Sequence, residues 1–314
     1  MKRNLTAVLL ALTCAASACA GEIRLASPFL EVAWDPDQGR IVFFGAPGGP
    51  NLLYLRTPES VAAERATFNA WFSWGGDFIY PAQDSRYYFH TGTESPDLSF
   101  FTAPWRTLGA GPSRLEAQSG VSPSLGVSLR RVLKLDPAAP VLESEDTVRR
   151  ETANPFFVHV ATVTQLPHPL CLLLDEAALT GGGRPYLSLT KMPPPPGTVE
   201  AGGGVVRLTA PLSSQNIKIG TLGRWGAAVY ADRIVLESTD GALDDGYLDG
   251  ASIEAYSGAA WVELETVSPA RHLRPGEELV HSVRWRLVPF TAPDDPSAIP
   301  AAALAALHPF LPQP

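Results

Sequence analysis

Short segments of alternating or β-branched character recur along the chain, and this pattern most constrains what it can fold into. FLEVAW from Phe29, RIVFF from Arg40, SRLEAQ from Ser113, GVSLRRVLKLD from Gly126 and VLESEDTVRRE from Val141 come first. FFVHVATVTQL from Phe156, GVVRLTA from Gly204, NIKIG from Asn216, AAVYA from Ala227, RIVLES from Arg233, ASIEAY from Ala251, WVELETV from Trp261 and LVHSVRWRLV from Leu279 follow. Side chains of a strand alternate between its faces, so a period of two marks a half-buried strand, and turns rich in Gly, Pro and Asp separate these runs. Helical periodicity is nearly absent. The expected architecture is all-β, a large antiparallel β-sandwich, with one or two short helices. One helix would start at Thr57 with Pro58 at its first position and run to Glu64; the other would lie in PSAIPAAALAAL near the C-terminus.

The N-terminus is set apart from this pattern. Lys2 and Arg3 precede an apolar run from Leu5 to Thr13 and a string of small residues, the form of a secretory signal that should be left out of fold reasoning. Ala18-Cys19-Ala20 suits ordinary cleavage, whereas Ala16-Ser17-Ala18-Cys19 resembles a bacterial lipoprotein box whose cysteine becomes a lipid anchor. Residues 1–20 are read as the signal, 21–290 as a single sandwich domain and 291–314 as a tail with a short helix. The expected location is outside the cytoplasm, in the periplasm or tethered to the outer membrane of a bacterium. Cys171 then stands without a partner in the apolar run LCLLLD, where a buried, inert thiol is expected.

The formal net charge is −8 and becomes more negative once Lys2 and Arg3 are removed. That balance argues against a nucleic-acid partner and suits an uncharged ligand. The six histidines show no short metal-ligand pairing, and no Gly-x-Ser-x-Gly elbow or phosphate-binding glycine loop is present. The loop Ser238–Gly250 holds Asp240, Asp244, Asp245 and Asp249. Turn chemistry is its simpler reading and Ca²⁺ chelation the alternative; no other cofactor is expected.

Three places break the alternation or concentrate chemistry. Arg131 shares a strand face with Val127, Leu129, Leu133 and Leu135, so it is either paired, most simply with Glu143 or Glu145 of the next strand, or lines a concave ligand surface. In WVELETV, Trp261, Glu263, Glu265 and Val267 share a face, and two carboxylates there imply a solvated face, an ion pair or a site. Lys218 lies opposite in phase to Ile217 and Ile219 and is aimed at a ligand groove or at solvent. The stretch NAWFSWGGDFIYPAQDSRYYFH, from Asn69 to His90, interleaves aromatic rings with polar groups around a Gly75-Gly76-Asp77 turn.

Several fragments together resemble a known family. QGRIVFFGAPGGPNLLY (Gln38 to Tyr54), WGGDFIYPAQ (Trp74 to Gln83), VTQLP (Val163 to Pro167), NIKIG (Asn216 to Gly220) and the block from Ser252 to Leu287 occur in an order similar to that of an uncharacterised bacterial domain family. That family has the galactose mutarotase supersandwich, shared with the aldose 1-epimerases. The resemblance implies a neutral saccharide bound in a groove. Aldose epimerases carry their general base in a late strand reading Leu-Glu-x-Gln followed by Pro, and Leu264-Glu265-Thr266-Val267 with Pro269 falls on it, which makes Glu265 the implied base. Ala161 stands where the acid histidine would, and His159, two residues earlier on the same face, is the implied substitute. Trp71, Trp74, Tyr80 and Trp105 are then expected to stack on sugar C–H faces, and Asp77, Gln83, Arg131, Gln165, Lys218 and Glu265 to bond hydroxyls. The competing reading is a non-enzymatic envelope lipoprotein whose sandwich is a scaffold for a protein or glycan partner.

Overall fold

A computed structural model of the chain describes residues 21–57, 59, 74–81, 99–176, 183–209, 216–241 and 246–312. The signal segment, Trp71, Gln83, Asp244, Asp245 and most of the expected helix from Thr57 lie outside the described residues.

Strands are numbered along the chain. Nine form one sheet in the order β1 (Ile23–Ala26), β2 (Glu31–Asp35), β3 (Arg40–Gly45), β4 (Asp77–Tyr80), β9 (Ala161–Leu166), β18 (Val262–Val267), β17 (Ile253–Ser257), β14 (Ile217–Thr221) and β11 (Leu187–Ser188). Ten form the other in the order β12 (Val199–Gly202), β13 (Val205–Leu208), β10 (Cys171–Asp175), β15 (Trp225–Val229), β16 (Arg233–Thr239), β19 (Glu278–Pro289), β8 (Val141–Arg150), β7 (Val127–Leu135), β6 (Arg114–Gln118) and β5 (Arg106–Ala110). The strand pairings are antiparallel, so the expected sandwich is observed. The Pro-rich stretch Lys191–Thr198 carries the chain from β11 to β12, that is, from one sheet to the other.

Alternation sorts the side chains. Inward residues of both sheets form the main core, with Leu25, Trp34, Ile41, Phe44, Leu129, Leu133, Ile219, Leu264 and Trp285 among them. Phe44 meets Trp285 of the opposite sheet edge to face, with ring centroids 5.2 Å apart. A second apolar cluster lies on the outside of the ten-stranded sheet. There Cys171, Leu173, Ala227, Val229, Ile234 and Leu236 are covered by Ile299, Ala303 and Leu307. These last three occupy one face, four residues apart, of a helix at Ile299–Leu307, which continues a 3-10 turn at Pro296–Ala298 capped by Asp295. Ile299 and Leu307 contribute about 1.5–3 kcal/mol each by burial. The helix explains why β10 is apolar without alternation: it is covered on both faces. Cys171 is buried there, and burial pushes its thiol up to about 11, leaving it unreactive.

The core also holds a charged cluster. Arg131, 1% exposed, points between the sheets, where its Nη1 lies 2.5 Å from Asp77 Oδ1 of the nine-stranded sheet and its Nε 3.0 Å from Asp146 Oδ1 of its own sheet. The expected pairing with Glu143 or Glu145 does not occur, because the β7–β8 register sets Asp146 opposite Arg131, with Val132 opposite Glu145 and Lys134 opposite Glu143. Ser144 and Thr162 donate hydroxyls to Asp146 at 2.7 and 2.9 Å, and Thr164 donates to Asp77 at 2.9 Å. One guanidinium cannot neutralise two buried carboxylates. Burial first, then the Asp146 charge, hold Asp77 up at about 7 despite Arg131. Glu237 is also fully buried, and burial followed by the Asp77 charge raises it well above the usual carboxylate range.

Asp77 reaches this interior position because Gly75 and Gly76 adopt φ of +88° and +79°. A Cβ on Gly76 would lie 2.2 Å from Ile41 O, so only glycine allows the turn to approach β3. Replacing Arg131 with Met should destabilise the protein by about 3–5 kcal/mol at pH 8, since two carboxylates lose their cation inside the core. The deficit should shrink at pH 5, where Asp77 takes up its proton. Urea unfolding at the two pH values measures both numbers.

Candidate functional site

The outward face of the nine-stranded sheet collects what alternation excludes from the core. On β18, Val262, Leu264 and Thr266 point inward, which sends Glu263 and Glu265 outward. Register then fixes their neighbours: Glu254 of β17 and Val163 of β9 flank Glu265, while Tyr256 and Gln165 flank Glu263. Lys218 of β14 lies opposite Tyr256 and diagonal to Glu254. Three glutamates, one lysine, one glutamine and one tyrosine therefore share a single surface.

Their contacts are specific. Lys218 Nζ lies 2.8 Å from Glu254 Oε2, 2.9 Å from Glu265 Oε1 and 3.0 Å from Glu265 Oε2. Burial works against the Lys218 charge, but Glu254 and Glu265 outweigh it and hold the ammonium well above the usual lysine value. Glu263 Oε1 accepts the Gln165 amide at 2.5 Å and the Trp261 indole N–H at 3.1 Å. Burial first, then the Lys218 attraction and the opposing Glu265 charge, leave Glu254 raised to about 7. Burial and the Glu265 charge likewise raise Glu263 to about 7. The shared cause is that three carboxylates face one committed cation.

An aromatic wall borders the carboxylates. Tyr54 stacks on Trp261 with centroids 5.3 Å apart and planes 20° apart, Tyr256 stands 6.5 Å from the same ring, and the Arg56 guanidinium lies 5.6 Å from its centroid. The Tyr54 segment is fastened by main-chain bonds from Tyr54 N to Gln165 O and from Gly76 N to Tyr54 O. Stacked rings beside hydrogen-bonding groups offer both an apolar surface and polar anchors to a bound ring.

The expected site residues divide into those on this face and those elsewhere. Glu265, Gln165 and Lys218 come together here. Trp74 is half-buried, and its carbonyl accepts the Arg56 N–H, which places its backbone beside the aromatic wall. Asp77 and Arg131 do not line the groove: both are paired between the sheets, where no saccharide reaches them. Tyr80 is buried against Phe101. Trp105 packs edge to face on Trp34, its indole bonded to Phe100 O, and offers no stacking face. The His159 ring is buried with no hydrogen bond to either nitrogen. Burial first, then Lys218 and His281, push it down to about 3, so no imidazolium exists near neutral pH to act as an acid. Asp240 is exposed at the end of β16, Asp249 acts on Glu254, and among the described residues no group of acidic, histidine or cysteine side chains is arranged to hold a metal. Glu254 and Tyr256 were not singled out in the sequence. Their alternation with Ile253 and Ala255 was visible, but the pairing of β17 with β18 was not.

The fold matches solved structures of low sequence identity. A protein of Escherichia coli K12, provisionally assigned as an aldose 1-epimerase, superposes with a TM-score of 0.61 at 11% identity, over 86% of this chain and 99% of that one. A galactose mutarotase-like protein from Lactobacillus casei gives 0.60 at 10% identity, over 85% and 100%. A galactose mutarotase related enzyme from Lactobacillus acidophilus gives 0.54 at 8% identity, over 86% and 98%. No family model matches the chain, and no curated protein matches it by sequence. The galactose mutarotase-like fold is thereby established.

Glu254 and Glu263 bind protons more tightly folded than unfolded, so their contribution to stability is complete below about pH 4.5 and declines as pH rises to about 7. Carboxyl ¹³C NMR of Glu-labelled protein should show two resonances titrating near pH 7. Lys218→Met should move the Glu254 midpoint higher still.

Proposed function

We propose that the outer face of the nine-stranded sheet binds a neutral saccharide and that Glu265 serves there as the base of an aldose 1-epimerase-like reaction. The observation that carries this reading is the joining of Glu265 to Glu254, Glu263, Lys218 and Gln165 on one surface beside the stacked Tyr54 and Trp261. The rings give C–H faces a platform, while the carboxylates and the amide accept and donate hydroxyl hydrogen bonds. An anionic sugar would bring its charge against three glutamates whose one close lysine is already engaged. Lys218 holds Glu265 in place, and each carboxylate oxygen keeps a second lone pair for a proton from the anomeric hydroxyl.

A second reading, glycan binding without turnover in an exported or lipid-anchored envelope protein, is favoured by the same lysine. Lys218 engages both oxygens of Glu265, which ties the carboxylate to a cation rather than leaving it open to an anomeric hydroxyl. Anomeric interconversion of freshly dissolved α-D-glucose and α-D-galactose, followed by NMR, separates the two. Catalysis predicts a rate above buffer that falls by about 10²–10⁴-fold in Glu265→Gln. Saccharide binding with no rate above buffer would leave the binding reading alone. Mass spectrometry of the mature N-terminus tests export: an acylated Cys19 is expected for the tethered form and an unmodified start after Ala20 for the secreted one, whereas a retained Met1 would overturn both.

A further inference from the structure

We infer that Glu263 is the proton donor that partners Glu265, so that the site works as a carboxyl–carboxylate pair on one strand rather than as a glutamate with a histidine. The inference rests on the epimerase-like reading. It is carried by the way the Glu263 carboxyl is held. Trp261 Nε1 is a donor only, and with the Gln165 amide it converges on Oε1. Two donors on one oxygen leave the acidic proton on the other. Oε2 makes no hydrogen bond to a described residue, so that proton is free to meet a ligand.

Position fits the role as well. Residues two apart on a strand project from the same face with Cα atoms roughly 6.5 Å apart, and the anomeric hydroxyl and ring oxygen share one carbon. A pyranose lying against the Trp261 wall can therefore meet both carboxyls. The other groups on the face are less suited. Lys218 is bound to two carboxylates, Glu254 gives one oxygen to that lysine, and His159 is neutral. The negative charge of Glu265 favours the protonated state of Glu263, and burial acts in the same direction.

The reaction balances with these two groups. Glu265 takes the proton of the C1 hydroxyl, the O–H pair forms the C1=O bond, the C1–O5 bond breaks, and O5 takes the Glu263 proton. This leaves an open-chain aldehyde, a Glu263 carboxylate and a protonated Glu265. After rotation about C1–C2, O5 attacks the other face of C1, its proton returns to Glu263, and Glu265 protonates the new hydroxyl.

The test is polarimetry of α-D-glucose and α-D-galactose across pH 5 to 9 with wild type, Glu263→Gln, Glu265→Gln and Trp261→Phe, each checked for folding by circular dichroism. Glu263→Gln should lower kcat by about 100-fold or more with KM changed less than about threefold. The wild-type rate should fall as pH rises through about 7, and this limb should vanish in Glu263→Gln. Trp261→Phe removes a hydrogen bond that favours the carboxylate, so its limb should move to higher pH. A Glu263→Gln enzyme with the wild-type rate, or a slow one that keeps the alkaline limb, overturns the assignment. If Glu265→Gln is inactive while Glu263→Gln is normal, the donor assignment alone falls; if the wild type does not exceed buffer, the epimerase-like reading falls with it.

Discussion

The ion cluster of Arg131 with Asp77 and Asp146 joins the two sheets through their interior, and the arrangement of the outer face depends on it. Asp77 must point inward to reach Arg131, and its inward direction sets the phase of β4 beside β9, with Asp77 opposite Thr164 and Ile79 opposite Thr162. Once Thr162 and Thr164 face the core, Gln165 faces out, and β18 follows with Glu263 and Glu265 on the same side. A shift of one residue would turn every side chain over, placing the glutamates in the core. Burying two carboxylates and a guanidinium is an expensive way to hold sheets together compared with apolar packing. The Thr162, Thr164 and Ser144 hydroxyls complete the cluster, and its members meet in the observed register of β4 with β9 and β7 with β8.

Around Arg131 on one side of the nine-stranded sheet and Lys218 on the other, two carboxylates are bonded to a single cation, with different consequences. Inside, the protein meets this excess with the hydroxyl donors of Ser144, Thr162 and Thr164. Outside, Lys218 bridges Glu254 and Glu265, and the remaining excess appears as carboxyls that hold protons close to neutrality. Carboxyls poised near 7 beside one fixed by a lysine are suited to donating and accepting protons from hydroxyl groups. The stacked Tyr54 and Trp261 add a surface that favours a ring over a linear ligand.

Alternation in the sequence was enough to locate most strands and to show that Arg131, Lys218 and the Glu263–Glu265 pair needed explanation. It missed β1, β4, β5, β10, β11 and β12: Gly75-Gly76 hides the period at β4, β5 is an exposed, weakly apolar edge strand, β10 is apolar throughout, and β1, β11 and β12 are only two to four residues long. The family resemblance drew Trp105 and Tyr80 toward a ligand, whereas both proved to be packed against other rings. An aromatic side chain carries no sign of which neighbour its face will meet.

Which residues point the same way along one strand follows from the two-residue repeat of an extended chain, and for that reason the β-sandwich, the outward Glu265 and the inward Arg131 could be read from the amino acids. Which strands lie side by side, and in what phase, depends on contacts between residues far apart in the chain. Asp146 rather than Glu145 on Arg131, Glu254 opposite Glu265, and Tyr54 on Trp261 were decided at that level. A side chain's face is a local property of the strand, while its partner is set by the packing of the whole sandwich.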